Sequence, residues 1–244
     1  MRKNRGNILS NSLINTGNVF FRWRSYIPLI LLIFILPKSD DLRQTFGKFD
    51  TAYDILCLLI SLTGELIRIL TVGFVPSGTS GRNTKSQRAN SLNTTGIYSI
   101  TRNPLYMGNY FIILGITILS RSWELFVINS LFFTIFYVPI ILAEEEFLLG
   151  KFGEIYRSYA LNVPCFFPRL SLWQKPENSW SWKMVGSREH NSVFAIILSF
   201  SVIEHLRLYL IAGGLDFSLI WLILGVLGML VWMVFRLLKI ARFI

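Results

Sequence analysis

Leu92-Asn93-Thr94-Thr95-Gly96-Ile97-Tyr98 and Thr101-Arg102-Asn103-Pro104-Leu105-Tyr106-Met107-Gly108 decide how this chain is read, together with a later set. That set is Glu144-Glu145-Glu146-Phe147-Leu148, Phe152-Gly153, Tyr156, Tyr159 and Pro164, and it follows two apolar stretches. Amide, guanidinium, hydroxyl and carboxylate groups thus stand at the edges of segments that are otherwise oily. Anchoring in a bilayer requires none of them there, so they point to a site.

Around these motifs the chain is a membrane sequence: 244 residues, 52% apolar, mean hydropathy +0.50. A spanning helix needs about 20 apolar residues. Six segments approach that length, at residues 19–36 (interrupted by Arg22 and Arg24), 53–75, 106–120, 125–142, 193–212 and 217–238. The third is short, and its helix is expected to begin near Pro104. The expected fold is therefore all-α and polytopic. Its organisation is N-terminal membrane helices (1–76), a core (77–170), an interfacial linker with Trp173, Trp180 and Trp182 (171–192), and a C-terminal hairpin (193–244) turning at Gly213-Gly214.

Charge sets the orientation. Arg2, Lys3 and Arg5, then Arg82, Lys85, Arg88 and Arg102, then Lys151 to Arg188, then Arg236, Lys239 and Arg242 all fall on one side, against Lys38, Arg43, Lys48 and Arg121 on the other. Basic loops stay cytoplasmic, so both termini and both motif segments are expected on that face of a bacterial inner membrane or the endoplasmic reticulum. The net charge of +10 follows this alternation, which argues for anionic headgroups and against nucleic acid. Cys57 and Cys165 form no disulfide framework, and two histidines without clustered thiolates give no metal site. Pro37-Lys38-Ser39-Asp40 offers no small-residue cleavage site, so the basic start is read as an uncleaved anchor.

The motifs carry chemistry in specific ways. Asn103 and Pro104 suit a helix start, at the N-cap and first position. The same start at a membrane surface offers free N–H groups and a positive dipole end to a carboxylate or phosphate, with Arg102 as a bidentate partner. Tyr98 and Tyr106 supply aromatic walls for a planar or cationic ligand. A helix continuing from 143 to 170, ended by Pro164 and Pro168, carries the acidic triplet past the membrane and directs at least one carboxylate toward the third span. Glu65 and Arg68, and Glu204 and Arg207, stand one helical turn apart and are expected to pair.

Taken together, these residues resemble the isoprenylcysteine carboxyl methyltransferase family and its phospholipid methyltransferase relatives. The likeness covers about residues 82–168 through the pattern G-x-Y-x3-R-N-P-x-Y-x-G and then E-E-x2-L-x3-F-G-x2-Y. It implies a cytoplasmic-face pocket for S-adenosyl-L-methionine. Asn90, Ser91, Leu92 and Asn93 would line one side and Tyr98 another, with Asn83 more distant. Asn103, Pro104, Leu105 and Tyr106 would enclose the adenosyl part, and Glu144 would take the polar end. Two departures stand out: Asn103 where the family usually has His, and Ile140 where the prenylcysteine enzymes carry a substrate-binding Arg. The implied activity is methyl transfer to a lipid or lipid-linked acceptor. Arg102 is the anion partner, and Glu145 the base if the acceptor is an amine. A sterol-reductase-type membrane enzyme using NADPH and a non-catalytic scaffold are the alternatives.

Overall fold

The computed structural model describes residues 2–24, 26, 41–42, 47–76, 87, 89–214, 218–241 and 243, the side chains of residues 2–11 and 48 excepted. Among the described residues there are seven α-helices and no strand: α1 Arg2–Trp23, α2 Asp50–Gly73, α3 Pro104–Leu119, α4 Trp123–Phe152, α5 Glu154–Asn162, α6 Trp182–Ala212 and α7 Leu219–Ile240. Four of them (α2, α4, α6 and α7) are long and apolar enough to cross a membrane. α3 is a shorter apolar helix and begins at Pro104, as its sequence predicted. The expected first span is described through Trp23 in α1 and at Arg24 and Tyr26; the rest of it lies outside the described residues.

Two boundaries differ from expectation. The helix leaving the fourth span stops at Phe152, because Gly153 turns to φ 56°, a left-handed conformation that glycine adopts without Cβ strain; α5 restarts at Glu154. Helix α6 begins at Trp182, inside the stretch read as a linker, where the Ser181 hydroxyl accepts the Met184 N–H as a cap.

Helix α3 is the common wall. One face joins α1 and α4 through Phe21, Tyr106, Ile113, Phe133, Tyr137, Ile140 and Ile141. The other joins α2 and α6 through Cys57, Ile112, Ile116, Ile196 and Phe200. Small residues permit the α2–α3 approach: a Cβ on Gly108 would sit 2.7 Å from the Gly64 carbonyl oxygen. Close backbone contact of this kind replaces the hydrophobic drive that lipid removes.

Several polar groups inside the helices find partners across elements. Arg68 on α2 donates to Glu189 on α6 at 2.9 and 2.7 Å and to the Asn109 side chain on α3, and Asn109 donates to the Tyr137 hydroxyl on α4 at 3.2 Å. The expected Glu65–Arg68 ion pair is present, as the looser of the two that Arg68 makes. Glu65 lies 3.9 Å from Arg68, and neither of its oxygens has a hydrogen-bond partner among the described residues. Glu204 and Arg207 do pair, at 2.9 Å, and Arg207 also reaches Asp54 at 3.5 Å.

Deleting one member of a buried ion pair strands the other charge, at about 3–5 kcal/mol. Glu189→Ala should therefore lower the unfolding midpoint in detergent strongly, whereas Glu65→Gln, which gives up only the loose 3.9 Å pair with Arg68, should change it far less. Thermal unfolding of both purified variants against the parent chain checks this.

Candidate functional site

The segment before α3 is held by a clamp of hydrogen bonds to the segment after α5. Arg102 places Nε and Nη2 on Glu145 Oε1, each at 2.9 Å. Its Nη1 donates to the Ala160 carbonyl and, at 3.0 Å, to that of Val163. The main chain adds Arg102 N–H to Pro164 O at 2.9 Å and Arg169 N–H to Ile100 O at 3.0 Å. Tyr159 donates to Tyr98 O at 2.7 Å, and Asn103 Nδ2 donates to Cys165 O at 3.0 Å. Asn103 occupies the N-cap position of α3, but its side chain makes no capping bond because it is spent on Cys165. Gly96, at φ 63°, lets the loop turn back so that its N–H meets Gln174 O at 3.0 Å.

Behind this clamp lies a cavity of about 880 Å³. Of the residues singled out from the sequence, Ser91, Leu92, Asn93, Tyr98, Arg102, Asn103, Pro104, Leu105, Tyr106, Glu144 and Glu145 line it. Asn90 is exposed and does not, and Asn83 lies outside the described residues. Arg102 and Glu145 were expected to face a ligand as anion partner and base. The structure pairs them with each other, so most of their hydrogen-bonding capacity is committed to the clamp.

Several lining groups were not foreseen at the site. Arg24 reaches across from the end of α1 to Glu144 at 2.9 Å and lies over the Phe21 ring. The Arg68, Asn109, Tyr137 and Glu189 chain forms a second polar wall, and Arg188, Ser192 and Arg236 come from α6 and α7. The signal for Arg24 and Arg68 was present as charge inside an apolar run; their partners were not, because these lie about 120 residues away. Ile112, Ile113 and Ile116 of α3 give the cavity an apolar side. Ile140 is fully buried in the core.

Burial, reinforced by the Glu144 carboxylate, pushes the Tyr98 hydroxyl well above its ordinary range. Burial likewise raises Tyr156, with Glu145 adding to it, and Tyr159. All three are therefore neutral hydrogen-bonding walls at physiological pH. Burial opposes the charge on Arg102, but Glu145 beside it holds the guanidinium above its usual value. The Cys165 thiol is raised by burial and by Glu145, toward which it points at 3.7 Å.

A family model for phospholipid methyltransferases matches residues 70–155. The chain is 37% identical over 132 residues to the cobalt-zinc-cadmium resistance protein CzcN of Cupriavidus metallidurans, covering 53% of this chain and 59% of that one. It is 37% identical over 171 residues to the nickel-cobalt-cadmium resistance protein NccN of Alcaligenes xylosoxydans xylosoxydans, covering 69% and 72%. It is 30% identical over 129 residues to the protein-S-isoprenylcysteine O-methyltransferase of Schizosaccharomyces pombe, covering 51% and 52%. No solved structure matches.

Because its thiol is raised, Cys165 in a Cys57→Ser background should alkylate slowly at pH 8 and gain rate only above the usual thiol range. Removing the neighbouring charge with Glu145→Gln should move that rate curve to lower pH. Iodoacetamide labelling read by mass spectrometry measures both.

Proposed function

We propose, for a chain that belongs to the membrane methyltransferase family, that it transfers a methyl group from S-adenosyl-L-methionine to a lipid or lipid-linked acceptor at the cytoplasmic face of its membrane. The observation that carries the reading is one cavity with two characters. Its polar end is walled by the 91–106 segment and Glu144, and its apolar side by Ile112, Ile113 and Ile116 of α3.

The donor set suits the group. Glu144 and Arg24 together present a carboxylate and a guanidinium 2.9 Å apart, complementary to the ammonium and carboxylate of an amino acid. Tyr98 and Tyr106 offer ring faces to a planar base and a sulfonium. The uncapped first turn of α3 leaves backbone donors at the same end. When bound, the sulfonium supplies an intrinsically transferable methyl. The chain's own residues have to align an acceptor with it and exclude water.

Arg102 and Glu145 act in this scheme as positioning residues. Their clamp sets the distance between the segment before α3 and the end of α4, the two polar walls. For a carboxylate or phosphate acceptor no base is needed; for an amine, Glu145 is the lining carboxylate available to take the proton, provided that the clamp opens. The metal-resistance names of two relatives make growth under cobalt or cadmium stress, with and without the gene, a useful secondary readout.

The purified protein should bind S-adenosylhomocysteine by calorimetry and label a total lipid extract from radiolabelled donor. Glu144→Gln should weaken donor binding about tenfold or more, the scale of one charge-assisted interaction. Affinity for NADPH in place of the sulfonium donor, or no labelled lipid together with no donor binding, overturns the reading.

A further inference from the structure

The hydrogen bonds of the second polar wall run in one direction. Arg68 can only donate. It places Nε and Nη2 on Glu189 Oε2 at 2.9 and 2.7 Å, and Nη1 on the Asn109 side-chain oxygen. That contact fixes which way the Asn109 amide faces, so its nitrogen points onward and donates to the Tyr137 hydroxyl at 3.2 Å. The Tyr137 oxygen is thus an acceptor in this chain, and its own proton meets no acceptor among the described residues. Yet Tyr137 is 1% exposed and lines the cavity. A buried donor left unpaired costs free energy, and buried tyrosine hydroxyls ordinarily have a partner. The cavity is where that partner would sit.

Packing holds the hydroxyl in place. The Tyr137 ring stacks on Phe133 at 4.2 Å and tilts against Tyr106 at 5.1 Å between centroids, within the core that joins α1, α3 and α4. Tyr137 precedes Glu144 by seven residues on α4, so the two share a helix face about 10 Å apart along the axis. Both line the cavity, with Ile112, Ile113 and Ile116 of α3 alongside. One directed hydroxyl proton therefore stands two turns from the carboxylate assigned above to the donor's amino acid end, beside an apolar wall.

We infer that Tyr137 seats the methyl acceptor by donating a hydrogen bond to an anionic oxygen, carboxylate or phosphate, on the lipid. Arg68 and Asn109 are the positioning residues that keep the hydroxyl a donor. The inference rests on the lipid-acceptor reading above and narrows it to methylation at oxygen. An ammonium has no lone pair to accept this bond, and a neutral amine has one, which attack requires. An anionic group has an oxygen to spare: one takes the Tyr137 bond while another attacks. A lone pair on the attacking oxygen forms the new C–O bond, the C–S bond breaks with its electrons left on sulfur, and Tyr137 keeps its proton throughout.

The test uses full-length protein in neutral detergent and follows two anionic probes, lauric acid and dioctanoyl phosphatidic acid, by native mass spectrometry. Dioctanoylglycerol and dodecylamine are the uncharged and cationic controls. Tyr137→Phe keeps the ring contacts and removes only the hydroxyl, so it is expected to retain the parent unfolding midpoint. It should weaken one anionic probe about tenfold or more, as expected for loss of a hydrogen bond to a charged group, and that probe identifies the headgroup. Neither control should change. Asn109→Asp keeps the shape of the side chain but can only accept, so it captures the Tyr137 proton and should weaken the same probe. In the Tyr137→Phe background it should cost no more than about a further twofold, because both changes act through one proton.

Unchanged binding of both anionic probes to Tyr137→Phe overturns the inference. So does an equal loss of dioctanoylglycerol, which marks disturbed packing, and so does a tenfold loss of S-adenosylhomocysteine with the probes unchanged, which reassigns the hydroxyl to the donor. Losses that multiply in the double variant overturn the role of Asn109. Full displacement of the anionic lipid by millimolar inorganic phosphate or acetate shows a soluble-anion site and overturns the lipid assignment. If Tyr137→Phe weakens an anionic lipid but the parent chain never binds S-adenosylhomocysteine, methyl transfer fails and the Tyr137 seat stands.

Discussion

The Arg102 guanidinium is the constraint on which the site depends. It sits between a carboxylate on α4 and two carbonyls at the end of α5, and it belongs to the segment that leads into α3. Because it is raised above its already high ordinary range, no accessible pH discharges it. The loop from Leu92 to Asn103 and the acidic end of α4 are therefore fixed relative to each other, although 43 positions separate Arg102 from Glu145. Of the side-chain bonds that join the loop before α3 directly to the acidic end of α4, no other is as short.

Around the clamp, the membrane architecture follows from which groups lipid will tolerate. Charged side chains within apolar helices must find partners: Arg68 with Glu189 and Arg207 with Asp54 between helices, and Arg207 with Glu204 within α6. The first of these doubles as a wall of the cavity. Stabilising the helix bundle and lining a polar chamber are thus served by the same side chains, which is how a short chain rich in apolar residues keeps a polar pocket within it.

Much of the site was legible in the sequence because its determinants are local. Proline at 104 fixes where α3 begins, and the spacing of Glu204 and Arg207 brings them onto one helix face. Ser91 to Asn93, Tyr98, Arg102 to Tyr106, Glu144 and Glu145 line one cavity, whereas Asn90 does not and Asn83 lies outside the described residues. What sequence could not provide was choice among tertiary partners. Arg68 keeps the carboxylate one turn away only as a loose pair at 3.9 Å and makes its short contact with Glu189, which α6 presents at 2.7 Å. Asn103 fits its cap position by propensity but turns to Cys165. The stop at Gly153 was hidden within an amphipathic pattern that runs straight through it.

The central claim is that the walls fixed by Arg102 enclose a nucleoside sulfonium at the polar end of the cavity. An experimental structure of the full chain with S-adenosylhomocysteine tests it most directly. The expected result is the adenosyl group against Asn93, Tyr98 and the start of α3, with the amino acid end on Glu144 and Arg24. A ligand seated elsewhere, or a Glu144 and Asn103 too far apart to share one small molecule, would contradict it.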